Sequence, residues 1–237
     1  MFEGFPKELP DFLWGLSFHN EKIWFDAHRE DYERCLKQPF HALAQEVFSE
    51  AALLWPGKLP GLHISRIHRD ARRLFGRGPY KDHLWFTLGQ SGRLHSPFPD
   101  FWFEIGPSSY AYGMGWFETG AEGLELWREQ IDQNPARAEK IIRAVEKKNV
   151  FTRLGPCYKR PKGHAEDMLR DWYNARGVGV GRTVDFNPDP PGPELAAELI
   201  EGFRQLMPLY DYLMEAAVRL SARERSRQEA LEEDVYL

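Results

Sequence analysis

"HLWFTLGQSGRLHSPFPDFWFEIGPSSYAYGMGWF", residues 83–117, is the stretch that decides the fold. It holds three short runs rich in aromatic and β-branched residues, HLWFTL, DFWFEIG and YAYGMGWF, with Gly, Pro and Ser between them. Runs of this kind are typical of β-strands. Because the connections are short, the pattern predicts strands that pair antiparallel with their neighbours. The segment GQSGRLHSPFP between the first two runs is predicted to be a loop.

Helical periodicity flanks this stretch on both sides. Apolar residues recur there at three- and four-residue steps, which is the spacing of one helix face. The predicted helices cover residues 6–18, 22–39, 40–51, 121–148, 166–177 and 193–220. The second helix is expected to close before Pro39, and the fourth to split near Asn134-Pro135.

This order of helices, then strands, then helices predicts an α+β protein. A central antiparallel sheet should be covered by helices from the N- and C-terminal parts, and LHISRI and VGVGRTVDF should be further strands. Residues 1–220 are predicted to form a single α+β domain, and residues 221–237 a charged C-terminal tail.

The composition and charge of the chain exclude several classes of protein. A chain of 237 residues with 42% hydrophobic residues can bury a sizeable core, and a formal net charge of -5 argues against broad nucleic-acid binding. The N-terminus lacks the pattern of a signal peptide, and no run approaches the ~18 apolar residues of a membrane helix. We therefore expect a cytoplasmic protein without a membrane partner, in which Cys35 and Cys157 are free thiols. The sequence does not indicate an oligomeric state.

One segment is basic, although the chain as a whole carries a net negative charge. ISRIHRDARRLFGRGPYKDHLWF, residues 64–86, holds six Arg and Lys residues (three of them Arg69, Arg72 and Lys81) against only Asp70 and Asp82. Its first part reads as an extended segment and LFGRGPYK as a glycine-punctuated loop that enters a strand. Arginine presents a planar fork of donors suited to carboxylate or phosphate.

These residues make a candidate site for a small anionic ligand, carrying phosphate or carboxylate, in a basic and aromatic cleft. Arg69, Arg72 and Lys81 would neutralise the anion, and Tyr80 would orient it. Asp70 would hold the arginines in place.

A second basic segment, YKRPKGH at residues 158–164, adds Lys159 and Arg160 to the candidate ligand-binding residues. Both basic segments lie on Gly/Pro loops, so they could converge on one cleft. No reaction can be named, and enzymatic activity is left open. The spacing of the histidines matches no known metal motif, and no cofactor is indicated.

A structural role for the same charges is the alternative. Arginines often serve as internal struts, and Glu104 on a predicted central strand is a candidate buried partner. In this alternative the protein would be a non-catalytic interaction or structural protein, with its Arg/Lys cluster paired internally or docked on an acidic partner. If the charge is instead answered partly from inside and partly by a ligand, a strut such as Arg72 would be needed for stability, whereas Lys81 would be a ligand contact.

Three segments together resemble the bacterial and fungal domain-of-unknown-function family numbered 2461. The shared elements are an N-terminal Phe-Leu helix, an Asn-x-x-x-Trp-Phe element, an Arg-Asp-x-Arg segment running into Pro-Tyr-Lys, and a later basic turn. The matching residues are Phe12, Leu13, Asn20, Trp24, Phe25, His28, Tyr32, Arg69, Asp70, Arg72, Pro79, Tyr80, Lys81, Lys159, Pro161 and Gly163.

The resemblance spans the chain to about residue 220 and implies a compact single α+β domain of unknown activity. It marks the Arg-Asp-x-Arg and Pro-Tyr-Lys elements as the part to examine. This chain departs from the commoner pattern in the intervening loop, where Arg73, Gly76 and Arg77 replace a Phe and an acidic-basic pair. The loop is consequently more basic than the family pattern.

Overall fold

The computed structural model describes the chain except for residues 71, 73, 75, 93–95, 148–149, 164, 166–167 and 236–237. Of residues 232–235 it describes the backbone alone. The predicted loop over 89–99 and the predicted helix over 166–177 therefore lie partly outside the described residues. Arg73, one of the departures from the family pattern, also lies outside them.

Helices form both ends of the chain and strands its middle. The helices are α1 (Leu9–Phe18), α2 (Lys22–Ala27), α3 (Arg29–Asp31), α4 (Gln38–Leu54), α5 (Gly120–Gln133), α6 (Pro135–Glu146), α7 (Arg170–Tyr173) and α8 (Leu195–Val235). The strands are β1 (Gly61–Ile64), β2 (Leu84–Gly89), β3 (Asp100–Ile105), β4 (Ser109–Trp116), β5 (Thr152–Arg153) and β6 (Val178–Asp185). The predicted split near Asn134-Pro135 is confirmed, and the two-residue strand β5 was not predicted.

The six strands form one antiparallel sheet in the order β1-β2-β3-β4-β6-β5. Strand β1 lies at its edge, where Gly61 pairs with Gly89 and Ile64 pairs with Phe86 of β2. The predicted α+β class and central antiparallel sheet are confirmed.

The junction between the second and third predicted helices differs from the prediction. Residues Tyr32–Lys37 form a turn of π-helix that runs directly into α4. Pro39 does not end a helix, because it lies at the start of α4 directly after the π-helical turn, and its fixed φ suits the helical backbone that continues through it. The prediction that a helix closes before Pro39 was wrong for this reason.

The chain divides into two compact units by residue contacts, and the backbone passes between them more than once. The first unit comprises Met1–Leu94, Phe101–Tyr112 and Arg182–Phe203. The second comprises His95–Asp100, Gly113–Gly181 and Arg204–Leu237. That residues 1–220 behave as a single domain stays a prediction.

Aromatic rings build the core of the first unit. Phe40 of α4 lies 5.7 Å from Phe86 of β2 and 6.0 Å from Phe103 of β3, measured between ring centroids. On α8, Phe203 lies 4.7 Å from Phe101 of β3. Residues from an N-terminal helix and from the C-terminal helix thus cover the strands of this unit, and each buried ring removes a large apolar area from water.

Indole hydrogen bonds tie the second unit together. The Trp127 indole N–H donates to the Trp172 carbonyl at 2.9 Å, and the Trp172 indole donates to Glu146 at 3.0 Å. Trp127 also packs edge-on against Tyr212 of α8. Buried indoles need such partners, because an unpaired buried donor is unfavourable.

Among the described residues, no helix has both the length and the apolar character needed to span a membrane. Cys35 is buried, Cys157 is half-buried, and both are free thiols, as expected.

The predicted charged tail is a continuation of α8, which runs on through Ser221 to Val235. Its basic residues pair with α5 of the same unit, since Arg227 contacts both carboxylate oxygens of Glu122 at 2.9 and 2.6 Å. These groups are exposed, so their attraction is weak and screened by salt.

Removing residues 221–237 should leave both units folded. The helix loses its pairs with Glu122, so thermal denaturation should show a small drop in melting temperature that shrinks as salt is raised. Full-length protein carrying Arg227→Ala is the matched control and should reproduce part of the drop. An insoluble truncated protein, or one without a cooperative transition, would show that the tail is needed for folding.

Candidate functional site

Backbone pairing continues beyond the end of β1 and folds the basic segment back on itself. The N–H of Ser65 donates to the Trp85 carbonyl at 2.8 Å, that of Lys81 to Ile67 at 2.8 Å, and that of Arg69 to Pro79 at 2.7 Å. Gly76, at the far end of the loop, has a φ of 80°, which favours glycine. The predicted sequence of extended segment, glycine loop and strand is therefore present.

Tyr80 is held from both sides of its backbone by one side chain. The Asn20 amide donates to the Tyr80 carbonyl at 2.9 Å and accepts from the Tyr80 N–H at 2.9 Å. The Tyr80 ring is only 4% exposed and stacks on Phe25, with centroids 4.1 Å apart. The Asn-x-x-x-Trp-Phe element and the Pro-Tyr-Lys element of the family pattern thus meet here. The buried Tyr80 ring packs against Phe25 beneath the protein surface.

Gly78 allows the Asn20 side chain to come close to the Tyr80 backbone. A Cβ atom on Gly78 would lie 2.3 Å from the Asn20 amide oxygen, which is far inside van der Waals contact. Only glycine leaves room for the Asn20 side chain to reach the Tyr80 backbone.

Arg69 is the internal strut of the basic segment. Its side chain is 16% exposed and donates through Nε to the Tyr80 carbonyl at 2.8 Å. A guanidinium nitrogen lies 3.6 Å from Asp82, which in turn contacts His83 at 3.0 Å. The hydrogen bond to His83 and the nearby Arg69 lower the pKa of Asp82 against the opposing effect of burial.

Arg72 and Asp70 form a local pair at the surface. The Asp70 carboxylate accepts from the Arg72 backbone N–H at 3.0 Å and from its guanidinium at 2.8 Å. The Arg72 side chain is 88% exposed, so it does not brace a buried carboxylate. The expectation that Arg72 is a strut was therefore wrong, because Arg72 lies in the loop and Arg69 lies in the paired segment.

Lys81 is half-buried, and its ammonium donates to the Arg66 carbonyl. Burial lowers the pKa of Lys81, Arg69 lowers it further, and Glu104 of β3 raises it. Within the described part of the chain, Glu104 makes no ion pair, so it acts on Lys81 from beyond contact distance and not as the predicted buried partner. Burial and then Lys81 and Arg66 lower the pKa of the neighbouring His63.

Lys159 and Arg160 belong to the second unit and are exposed. In the same loop, the Lys162 N–H donates to the buried Asn174 amide at 2.6 Å, and its ammonium lies 4.8 Å from the centre of the Tyr158 ring. Their convergence with the first basic segment stays a prediction.

A groove of about 340 Å³ opens in the first unit beside the start of the basic segment. We call it the edge groove. One wall is five consecutive residues, Ile64–His68, and the other comes from α2, α3, the π-helical turn and α4. The residues of that second wall are Phe25, Arg29, Tyr32, Glu33, Lys37 and His41.

Cations outnumber carboxylates in the lining of the edge groove. Arg29, Lys37 and Arg66 share the lining with one carboxylate, Glu33, and Asp26 pairs with Arg29 from outside the lining, which leaves a formal surplus of one positive charge. Lys37 contacts Glu33 at 2.7 Å. Arg66 is exposed and makes no ion pair among the residues that the structure describes.

Aromatic rings and a histidine complete the edge groove. The Arg29 guanidinium lies 5.6 Å from the centre of the Phe25 ring, and burial raises the pKa of Tyr32 to about 12, so Tyr32 stays a neutral hydroxyl. Partial burial and then Lys37 lower the pKa of His41. The groove therefore offers arginine forks, an ammonium and flat apolar surface to a ligand.

Sequence reasoning had not singled out most of these residues. Arg29 and Lys37 lie on the predicted helix over residues 22–39, and Arg66 was counted only within the basic segment. Their shared signal is the family-like Asn-x-x-x-Trp-Phe element just upstream, which carries Phe25 and leads to Tyr32.

The fold and groove define an α+β protein with a basic, aromatic-lined groove at one edge of an antiparallel sheet. The chain belongs to the family of conserved hypothetical proteins DUF2461, whose model matches residues 8–212. This confirms the resemblance seen in the sequence. Comparison with curated proteins gives no match.

Arg69 and Arg72 should differ sharply when each is replaced by Met. Arg69→Met leaves the Tyr80 carbonyl without its charged donor and should lower the free energy of unfolding by about 1.5 to 3 kcal/mol. Arg72→Met removes the same charge from a side chain in solvent and should leave stability near that of the wild type. Urea denaturation measures both, and equal losses would contradict the strut role of Arg69.

Proposed function

We propose that this protein binds a small anionic ligand, carrying phosphate or carboxylate groups, in the edge groove. The observation that carries the proposal is the surplus of cations over carboxylates in a concave, aromatic-lined groove. Like charges brought together repel, and an anion bound between them relieves that repulsion. On a convex docking surface the same charges would point away from one another and would not converge on one ligand.

Arg66 is the principal ligand contact in this proposal. It has no ion-pair partner among the described residues, so its donors are available to an anion. Arg29 is paired with Asp26 at 2.6 Å and Lys37 with Glu33 at 2.7 Å, yet a guanidinium has five N–H donors and an ammonium three. Each can therefore hold its carboxylate and still donate to a ligand.

The residues first selected from the sequence take supporting roles in this proposal. Lys81 donates a hydrogen bond to the Arg66 carbonyl, and Arg69 donates one to the Tyr80 carbonyl. The Tyr80 ring stacks on Phe25, which lines the groove. Asp70 and Arg72 stay a local surface pair, and Lys159 and Arg160 are not needed. We further propose a cytoplasmic location, which suits a chain with two free thiols.

Sulfate or phosphate should raise the melting temperature more than chloride at matched ionic strength. A ligand at a hundredfold excess over its dissociation constant stabilises by about 2.7 kcal/mol. Arg66→Ala should abolish the selective gain, because it removes the cation that has no ion pair among the described residues. Thermal denaturation with each salt provides the measurement.

Arg72→Ala is the matched control, since it removes one arginine from the same segment but outside the groove lining. It should keep the full sulfate effect. If Arg72→Ala abolishes the effect and Arg66→Ala does not, the anion sits on the glycine loop. If no anion exceeds chloride in the wild type, the proposal fails.

The pKa of His41 should change when an anion binds in the edge groove. Its pKa is lowered by partial burial and by Lys37, and a bound anion offsets the Lys37 charge, so sulfate should raise the pKa of His41. By linkage, sulfate should bind more tightly as the pH falls through the His41 pKa in the complex. NMR titration of the imidazole, with and without sulfate, measures the shift, and an unchanged His41 would argue against binding in the groove.

A further inference from the structure

The edge groove runs along the chain from Ile64, the last residue of β1, through the paired segment that continues it to His68. Its wall includes five consecutive residues, Ile64–His68. Successive side chains of an extended chain point to opposite faces, so a cavity touching all five must lie against the strand's edge. Strand β1 is also the first strand in the order of the sheet, and within the described part of the chain it has a partner strand on one side only.

Hydrogen-bond direction shows which backbone groups face that edge. Ser65, Ile67 and Arg69 each bond inward, toward the strand that carries Pro79, Lys81 and Trp85. Inward and outward bonding alternate along a strand. Ile64 and His68 therefore direct their N–H and C=O groups away from the partner strand, toward the groove.

The Arg66 carbonyl between them is already taken by Lys81. A strand added along this edge would form backbone hydrogen bonds with Ile64 and His68. It would also meet the cationic side chain of Arg66. The opposite wall supplies Arg29 and Lys37 at the same groove. Backbone pairing and alternate charged contacts are the two components of peptide recognition by strand addition.

We propose that the edge groove receives an extended acidic segment of a partner protein, which adds as a further strand along Ile64–His68, the end of β1 and its continuation. Its carboxylates occupy the anion positions, so the inference rests on the proposed function. A peptide with acidic residues at every second position presents them all on one face, where they meet Arg29, Lys37 and Arg66. Exposed strand edges are sites of pairing with other chains, and this edge has charge complementary to an acidic one.

Alternating peptides test the backbone component separately from the charge component. The probe is a fluorescein-labelled, amidated octapeptide of four Glu-Thr repeats, and its binding to the full-length protein is followed by fluorescence polarisation. Two further versions carry N-methyl groups on all Glu residues or on all Thr residues. Because alternate amides face one side of a strand, one methylated version should bind at least tenfold more weakly and the other about as well as the parent.

Protein variants supply the matching controls. Arg66→Ala should weaken the parent peptide at least tenfold, whereas Arg72→Ala should leave it unchanged. A Lys-Thr octapeptide should not bind. Sulfate should compete with the Glu-Thr peptide.

The outcomes separate the two proposals. If sulfate binds but both methylated peptides bind as well as the parent, the groove recognises charge alone and strand addition is overturned. If neither sulfate nor any peptide binds, the proposed function itself fails. If the protein alone sediments as a dimer that Arg66→Glu dissociates, the edge belongs to a second copy of this chain, and the acidic-partner proposal is overturned.

Discussion

The Asn20 side chain and the Tyr80 backbone make the contact on which the site in the first unit depends. Two hydrogen bonds of 2.9 Å join residues 60 positions apart in the chain. The stacked rings of Phe25 and Tyr80 add an apolar contact between the same two parts of the chain. Together they fix the N-terminal helices against the basic segment. The edge groove has one wall from each of these parts, and this contact joins the two.

Two cations of the basic segment are hydrogen-bonded to backbone carbonyl groups, beside the ion pairs that Arg69 makes with Asp82 and Arg72 makes with Asp70. Arg69 donates to the Tyr80 carbonyl and Lys81 to the Arg66 carbonyl. A carbonyl is a dipole and carries no net charge, so it satisfies a donor without neutralising the cation. The segment thus stays hydrogen-bonded and electropositive at once. An acidic protein can maintain a local positive potential in this way, and such a potential favours the approach of anions.

Much of the fold was predictable from the sequence. Apolar spacing located the long helices, and aromatic runs located strands β2, β3 and β4, because both patterns reflect burial on one face. The π-helical turn and the two-residue strand β5 could not be predicted in this way. A π-turn leaves the apolar pattern nearly helical, and two residues are too few to show alternation.

The site was less predictable, for a physical reason. Arg69 and Arg72 flank Asp70 at nearly equal distances in the sequence, and composition cannot say which one will be buried. Pairing of Arg69 with Pro79 draws it inward, while Arg72 stays in the loop. Groove residues such as Arg29 and Lys37 come from other elements, so only tertiary packing brings them to Arg66.

The π-helical turn over Tyr32–Lys37 determines how this protein would respond to the loss of one residue. A π-turn holds one residue more than the α-turn it replaces, and such turns are often found at functional sites. Loss of a single codon here would let the segment close as an ordinary α-helix. Everything before the turn would then rotate by about 100° relative to α4, which is the angle of one residue in a helix of 3.6 per turn. Arg29 and Phe25 would leave the groove while Lys37 and His41 stayed, so an insertion or deletion of one residue could remodel the wall without changing any residue in it.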